Sequence, residues 1–287
     1  MDFLTQKPNE VIIAMTSNGW NIYYKAGHLP LLNIQGFVLA SPLTDDYLDF
    51  NTRVQYAHQR TLISNELYES IKASCNGDYI NLNPNNTNCM SDYEAYSELV
   101  RYIDMYRITQ PSCIKGSNKN RRSLFDDLET IHQSTFRCRE DEYALVELWA
   151  NDPNVRKDLN VREGTKGHFK RCNHSEAYIK NVHSVVEYHQ NLTNTNLRSL
   201  IYIGDLDMAT PYIGVHSIIK SLNLKLNSTW RAWFVDGEVA GYTEGYKNND
   251  QYHLTYATVK GGGHVAQEHT PKEVYEMIQR WFSYYDI

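Results

Sequence analysis

Two glycine-bearing loops constrain this chain more than any other feature. Ser199-Leu200-Ile201-Tyr202-Ile203 is an apolar, β-branched run that reads as a buried strand, and it opens directly into Gly204-Asp205-Leu206-Asp207. Leu254 to Val259 reads the same way and leads, after Lys260, into Gly261-Gly262-Gly263-His264. An acid just past one strand end and a histidine just past a later one form the second half of a Ser…Asp…His chain order. The first half would be a serine on a Gly-x-Ser-x-Gly elbow, and no such pentapeptide occurs in the 287 residues.

The surroundings of these loops read as alternating β and α. Asn33 to Ser41 is a further buried strand, ended by Pro42, and Tyr212 to Leu222 is a helix. Trp230–Val235 and Val239–Tyr246 form a hairpin about Asp236-Gly237, a strong two-residue turn signal. A closing helix has Thr270 as N-cap, Pro271 at its first position and Glu273 at its third, the pattern of a capping box. Such alternation predicts an α/β architecture, a parallel or mixed sheet with helices on both faces. Between about Arg53 and Asn194 the pattern is helical and irregular. Ser64 caps a helix reaching Ala73, Asp152-Pro153 opens a short one, and Glu176 to Gln190 is an amphipathic candidate. Ile114 to Arg122 is polar and basic, the best linker in the chain.

Bulk properties remove several function classes. Net charge is −6, and the only basic cluster is Lys119-Asn120-Arg121-Arg122, so no nucleic-acid partner is expected. The apolar runs fall far short of the ~20 residues that span a bilayer as a helix, so no membrane partner is expected either. Met1 to Pro8 has neither the basic nor the apolar region of a signal peptide. Four N-x-S/T sequons, at Asn85, Asn173, Asn191 and Asn227, nonetheless suit a secreted chain. Of five cysteines, Cys75 and Cys89 flank one polar stretch, Cys113 and Cys138 flank another, and Cys172 is left over. None has C-x-x-C spacing, so neither zinc nor any cofactor is expected.

The chemistry concentrates on Asp207 and His264. An acid on one loop can orient an imidazole on the other and stabilise the imidazolium formed in turnover. The Gly-x-x-Asp spacing singles out Asp207 for this role, leaving Asp205 to cap or hydrogen-bond the turn. Three glycines before His264 allow the tight turn that brings the ring to the sheet edge. Taken singly, Asp207 reads better as a helix N-cap and His264 as a hydrogen-bonded loop residue; the order and the two strand ends together favour the catalytic pair. The other ten histidines have no metal-ligand spacing. Gly241-Tyr242-Thr243-Glu244-Gly245 mimics an elbow with threonine at its centre, but it falls inside a hairpin strand.

At this point the residues resemble a family. Leu200 through Pro211, Trp230 through Thr243 and Ala257 through His264 look like the acid and histidine regions of plant serine carboxypeptidase-like proteins. Tyr56-Ala57-His58, Leu62-Ile63-Ser64, Glu66 to Ser70 and Trp149 to Asp152 match as well, and the likeness covers about residues 30–284. It lies nearest the branch holding both peptidases and glucose-ester acyltransferases. It implies an α/β-hydrolase fold, a single domain over 1–287, with a helical cap insertion at 46–195. It implies disulfides Cys75–Cys89 and Cys113–Cys138, with Cys172 left to pair near the family's amino terminus. It also implies a secreted or vacuolar location and a substrate that is a peptide or an acyl ester.

The departures shape the functional expectation. The family's Gly-Asp-Ser-Tyr-Ser-Gly elbow, its first strands, its oxyanion-hole glycine loop and its substrate-carboxylate group have no counterpart here. Val265, Gln267 and His269 stand where the family more often shows Thr, Pro and Tyr. The expectation is an amino-terminally truncated member with an incomplete hydrolase fold. It keeps Asp207 and His264 but, without a nucleophile to activate, is inactive by itself.

Overall fold

A computed structural model describes residues 11–15, 34–110, 139–164, 167–171 and 181–287. Among them lie six strands, β1 (Val11–Met15), β2 (Ile34–Ala40), β3 (Arg198–Gly204), β4 (Lys225–Val235), β5 (Glu238–Asn248) and β6 (Tyr252–Val259). The helices are α1 (Asp46–Gln59), α2 (Asn65–Ser74), α3 (Thr87–Val100), α4 (Arg139–Asn151), α5 (Pro153–Asp158), α6 (Val186–Leu192), α7 (Tyr212–Ser221), α8 (Ala266–His269) and α9 (Pro271–Phe282). The strands make one mixed sheet in the order β1-β2-β3-β6-β5-β4. The first four in that order run parallel, and β5 and β4 add on antiparallel.

Strand alternation sends side chains to two separate cores. Phe37, Leu39, Ile201, Ile203, Leu254 and Tyr256 face one way and pack with Val215 and Ile219 of α7. Val38, Ala40, Leu200, Tyr202, Ala257 and Val259 face the other way and pack with Val274, Met277 and Trp281 of α9. Because both faces are covered, β3 buries every residue from Ser199 to Gly204, as its apolar sequence requires. The hairpin turn places Asp236 at φ 50° and Gly237 at φ 83°, the doubly left-handed turn that suits Asp-Gly and matches strand twist.

Three sequence expectations change. Thr270 flanks α9, but its hydroxyl donates to the Ala266 carbonyl at 2.9 Å, and no side-chain cap forms. The one-turn helix α8 takes the hydroxyl that the capping box would use. Burying Val274, Met277 and Trp281 contributes roughly 1.5–3 kcal/mol each, more than the ~1 kcal/mol of a cap, so α9 forms regardless. Of the candidate helix at 176–190, residues 176–180 lie outside the described residues, and within 181–190 the chain is helical from Val186. Residues 183–185 instead pair with 44–46, through His183 O to Asp46 N and Val185 N to Thr44 O. The β4 and β5 strands also extend further, starting at Lys225 and ending at Asn248, because each supplies the other's backbone partners.

The chain forms two compact units, one of residues 1–101, 105–108 and 182–287, the other of 102–104 and 109–181. In the first, α1, α2 and α3 build a third core from Val54, Tyr56, Ile71 and Tyr96, together with Met208 from the loop after β3. Ser64 Oγ accepts the Leu67 N–H as N-cap of α2. In the second, Asp152 Oδ1 accepts the N–H groups of Asn154 and Val155 and caps α5 as its sequence predicts.

Candidate active site

Parallel pairing decides where the two glycine loops meet. β3 and β6 are neighbours in register, Gly204 opposite Val259, so both chains leave the sheet at the same edge. There the backbones interlock: Asp205 N–H donates to the Val259 carbonyl at 3.0 Å and Leu206 N–H to the Gly262 carbonyl at 2.9 Å. A Cβ on Gly204 would sit 2.3 Å from Gly262 backbone atoms, so only glycine permits this approach. His264 N–H is held by the Tyr106 carbonyl at 2.6 Å, and a Cβ on Gly263 would lie 2.3 Å from that same oxygen.

This geometry brings the predicted pair together. Asp207 is fully buried, and its Oδ2 is 2.9 Å from His264 Nδ1. A carboxylate only accepts, so the facing nitrogen carries the proton and the ring is the Nδ1–H tautomer or the imidazolium. The His264 side chain is about a third exposed, and Nε2 has no hydrogen-bond partner among the described residues. The Tyr106 ring lies 5.5 Å from the imidazole, centroid to centroid. Asp207 is not the N-cap of α7, which begins at Tyr212; its Oδ1 accepts the N–H groups of Ala209 and Thr210 at 2.8 and 3.0 Å.

Asp205 does a different job. Its Oδ1 accepts the Gly261 N–H at 2.7 Å, latching the acid loop to the histidine loop, and Oδ2 lies 3.5 Å from Arg60. Burial raises its pKa, an effect opposed by the Gly261 bond and by Arg60. Helix α1 and the turn after it support the same loop. Tyr56 Oη donates to the Asp205 carbonyl at 2.8 Å, Arg60 donates to the same oxygen, and Arg53 donates to the Ala209 carbonyl at 2.6 and 3.0 Å.

Several supporting residues were invisible to sequence reading: Tyr106, Arg53, Arg60 and Thr210, whose partners are remote or whose types are common. A second carboxylate–imidazole pair, Glu244 and His216 at 2.5 Å, lies among Tyr246, Tyr256 and Trp230, and no spacing signal announced it. The elbow mimic is confirmed as strand: Thr243 is buried in β5 with its hydroxyl donated to the Tyr256 carbonyl. Cys75 and Cys89 form a disulfide. Cys113, Cys138, Cys172 and Asn173 lie outside the described residues. Asn85, Asn191 and Asn227 are exposed. Among the described residues no three His, Cys, Asp or Glu side chains are grouped to hold a metal, and no helix is long and apolar enough to cross a membrane.

Comparison with known proteins decides the family. A profile of the serine carboxypeptidase family matches residues 13–284. The chain belongs to the serine carboxypeptidase family. Serine carboxypeptidase-like 17 of Arabidopsis thaliana is 40% identical over 272 residues, covering 95% of this chain and 56% of that protein. Serine carboxypeptidase-like 16 of the same plant is 40% identical over 273 residues, 95% of this chain and 57% of that protein. The chain thus spans a little over half the length of these curated relatives. Among solved structures, Kex1(Δ)p, a prohormone-processing carboxypeptidase from Saccharomyces cerevisiae, aligns with a TM-score of 0.64 at 13% identity, covering 96% of this chain and 62% of that one. That likeness establishes the α/β-hydrolase fold, to which the mixed sheet and its two helical faces conform.

Proposed function

We propose that Asp207 and His264 are the acid and the base of a serine-type acyl-transfer site that releases C-terminal amino acids from peptides. The observation that carries the reading is the buried carboxylate 2.9 Å from Nδ1 on an imidazole whose Nε2 is unpartnered. In such a site Nε2 takes the proton of a serine hydroxyl as that oxygen attacks the scissile carbonyl. It then returns the proton to the leaving amine, while Asp207 holds the ring through Nδ1–H. Residues 46–195, between β2 and β3, would be the family's helical cap insertion. The serine has to come from outside these 287 residues, since no elbow occurs within them. The carboxypeptidase names and the shared family support a peptide substrate. The Cys75–Cys89 disulfide and the exposed sequons support passage through an oxidising, glycosylating compartment.

Two measurements test this. A fluorophosphonate probe should leave the 287-residue chain unlabelled; specific labelling lost in His264→Gln would show that the chain carries its own nucleophile. In a form that includes an elbow serine, Asp207→Asn should lower kcat by about 10⁴ against peptides with a free C-terminus. Transfer from a glucose ester without amino-acid release would replace the carboxypeptidase assignment by an acyltransferase one. Neither reaction in the elbow-bearing form would leave a non-catalytic protein.

A further inference from the structure

The structure assigns Thr210 as the positioning residue of the Asp207–His264 pair, an inference that rests on reading the pair as acid and base. Thr210 Oγ1 is 2.9 Å from Asp207 Oδ2 and 3.2 Å from His264 Nδ1, so the hydroxyl, the carboxylate oxygen and the ring nitrogen form a closed triangle. Two of the three contacts are fixed by chemistry. The carboxylate only accepts, so Oδ2 receives one proton from the hydroxyl and one from Nδ1. The hydroxyl's lone pairs then face the Nδ1–H, which becomes a three-centre bond shared between Oδ2 and Oγ1.

The backbone bonds of Ala209 and Thr210 fix Oδ1 alone. A carboxylate turns easily about its terminal torsion, which is broad and roughly two-fold, so those bonds leave Oδ2 free to swing out of the imidazole plane. The threonine hydroxyl supplies the missing restraint. It is 3% exposed, so water cannot stand in for it. Among the described residues its only other acceptor is the Ser41 carbonyl, at 3.4 Å the longer and weaker contact. Ser41 itself sits at the end of β2 with φ 45° and gives its N–H to the Tyr202 carbonyl, which anchors Thr210 to the neighbouring strand. The strand beside the acid strand therefore takes part in aiming the histidine.

The test is proton NMR of the 287-residue chain, which needs no catalysis. The His264 Nδ1–H resonance is identified by its loss in His264→Gln. Thr210→Val keeps the side-chain shape and removes the donor. It should speed exchange of that proton with water about tenfold or more, with the urea midpoint checked in parallel, because a hydrogen bond to a charged group is lost. Thr210→Ser should restore the rate to within about twofold of the parent, which a packing role for the threonine methyl would not do. Unchanged exchange in Thr210→Val, or failure of serine to restore it, overturns the assignment of Thr210. A resonance indifferent to Asp207→Asn overturns the pair itself, and with it the proposed acid–base site; the two failures give different spectra.

Discussion

Replacing His189 by leucine should raise folding stability relative to the parent chain as pH falls below about 6.5, because two buried groups of opposite response offset each other in the parent and the substitution leaves only one. His189 lies on α6, 7% exposed, against the Phe37 ring, and its Nδ1 has no partner among the described residues. Burial lowers its pKa from 6.5 to about 4. The unfolded chain therefore binds this proton first, and stability present above pH 6.5 is lost as pH falls towards 4, by about 3 kcal/mol. Asp49 on α1 does the reverse. Its Oδ2 accepts the Thr44 and Asp45 N–H groups at 2.8 and 2.9 Å, its Oδ1 has no partner among the described residues, and burial raises its pKa from 3.8 to about 6. The folded chain binds that proton first, so stability rises as pH falls from 6 towards 3.8, again by about 3 kcal/mol. Urea unfolding from pH 4 to 7.5 should show three curves. Relative to the parent, His189→Leu should gain stability towards acid and Asp49→Asn should lose it. Carboxylates common to all three chains drop out of the comparison. Equal slopes for the parent and His189→Leu between pH 4 and 6.5 would refute the reasoning.

Other outcomes follow from the same structure. Reducing Cys75–Cys89, which closes a loop of sequence separation 14, should lower stability by roughly 2–4 kcal/mol, read as a urea midpoint shift with and without reductant. Gly263→Ala should cost about 1–3 kcal/mol and abolish the His264 Nδ1–H resonance, since the new Cβ would meet the Tyr106 carbonyl at 2.3 Å. Asp205→Asn keeps an acceptor for Gly261 but loses the charge beside Arg60, so His264 should stay aligned and stability should change by less than about 1 kcal/mol, checked by the same spectrum and unfolding curve.

Features whose cause lies within a few residues were legible in the sequence. Ser64 and Asp152 cap helices because their oxygens reach N–H groups three residues or fewer ahead. Asp236-Gly237 turns because those two residue types tolerate positive φ. Thr270 misled because its hydroxyl turns back to donate to the Ala266 carbonyl and accepts no N–H of α9. Residues 183–185 misled because their partners at 44–46 lie on a distant segment that amphipathic spacing cannot reveal.

The sequence by itself determined the family, the two strand-ended loops and the candidate acid and histidine, all carried by residue types in a fixed order. Only the tertiary structure decided that these side chains meet, because the meeting depends on parallel register between β3 and β6. It also supplied the partners of the two acids. The Gly-x-x-Asp spacing singles out Asp207, and in the structure Asp205 accepts the Gly261 N–H while Asp207 faces the imidazole. The contacts of Thr210 and Ser41 arise where strands far apart in the chain end at one edge, so no local pattern encodes them.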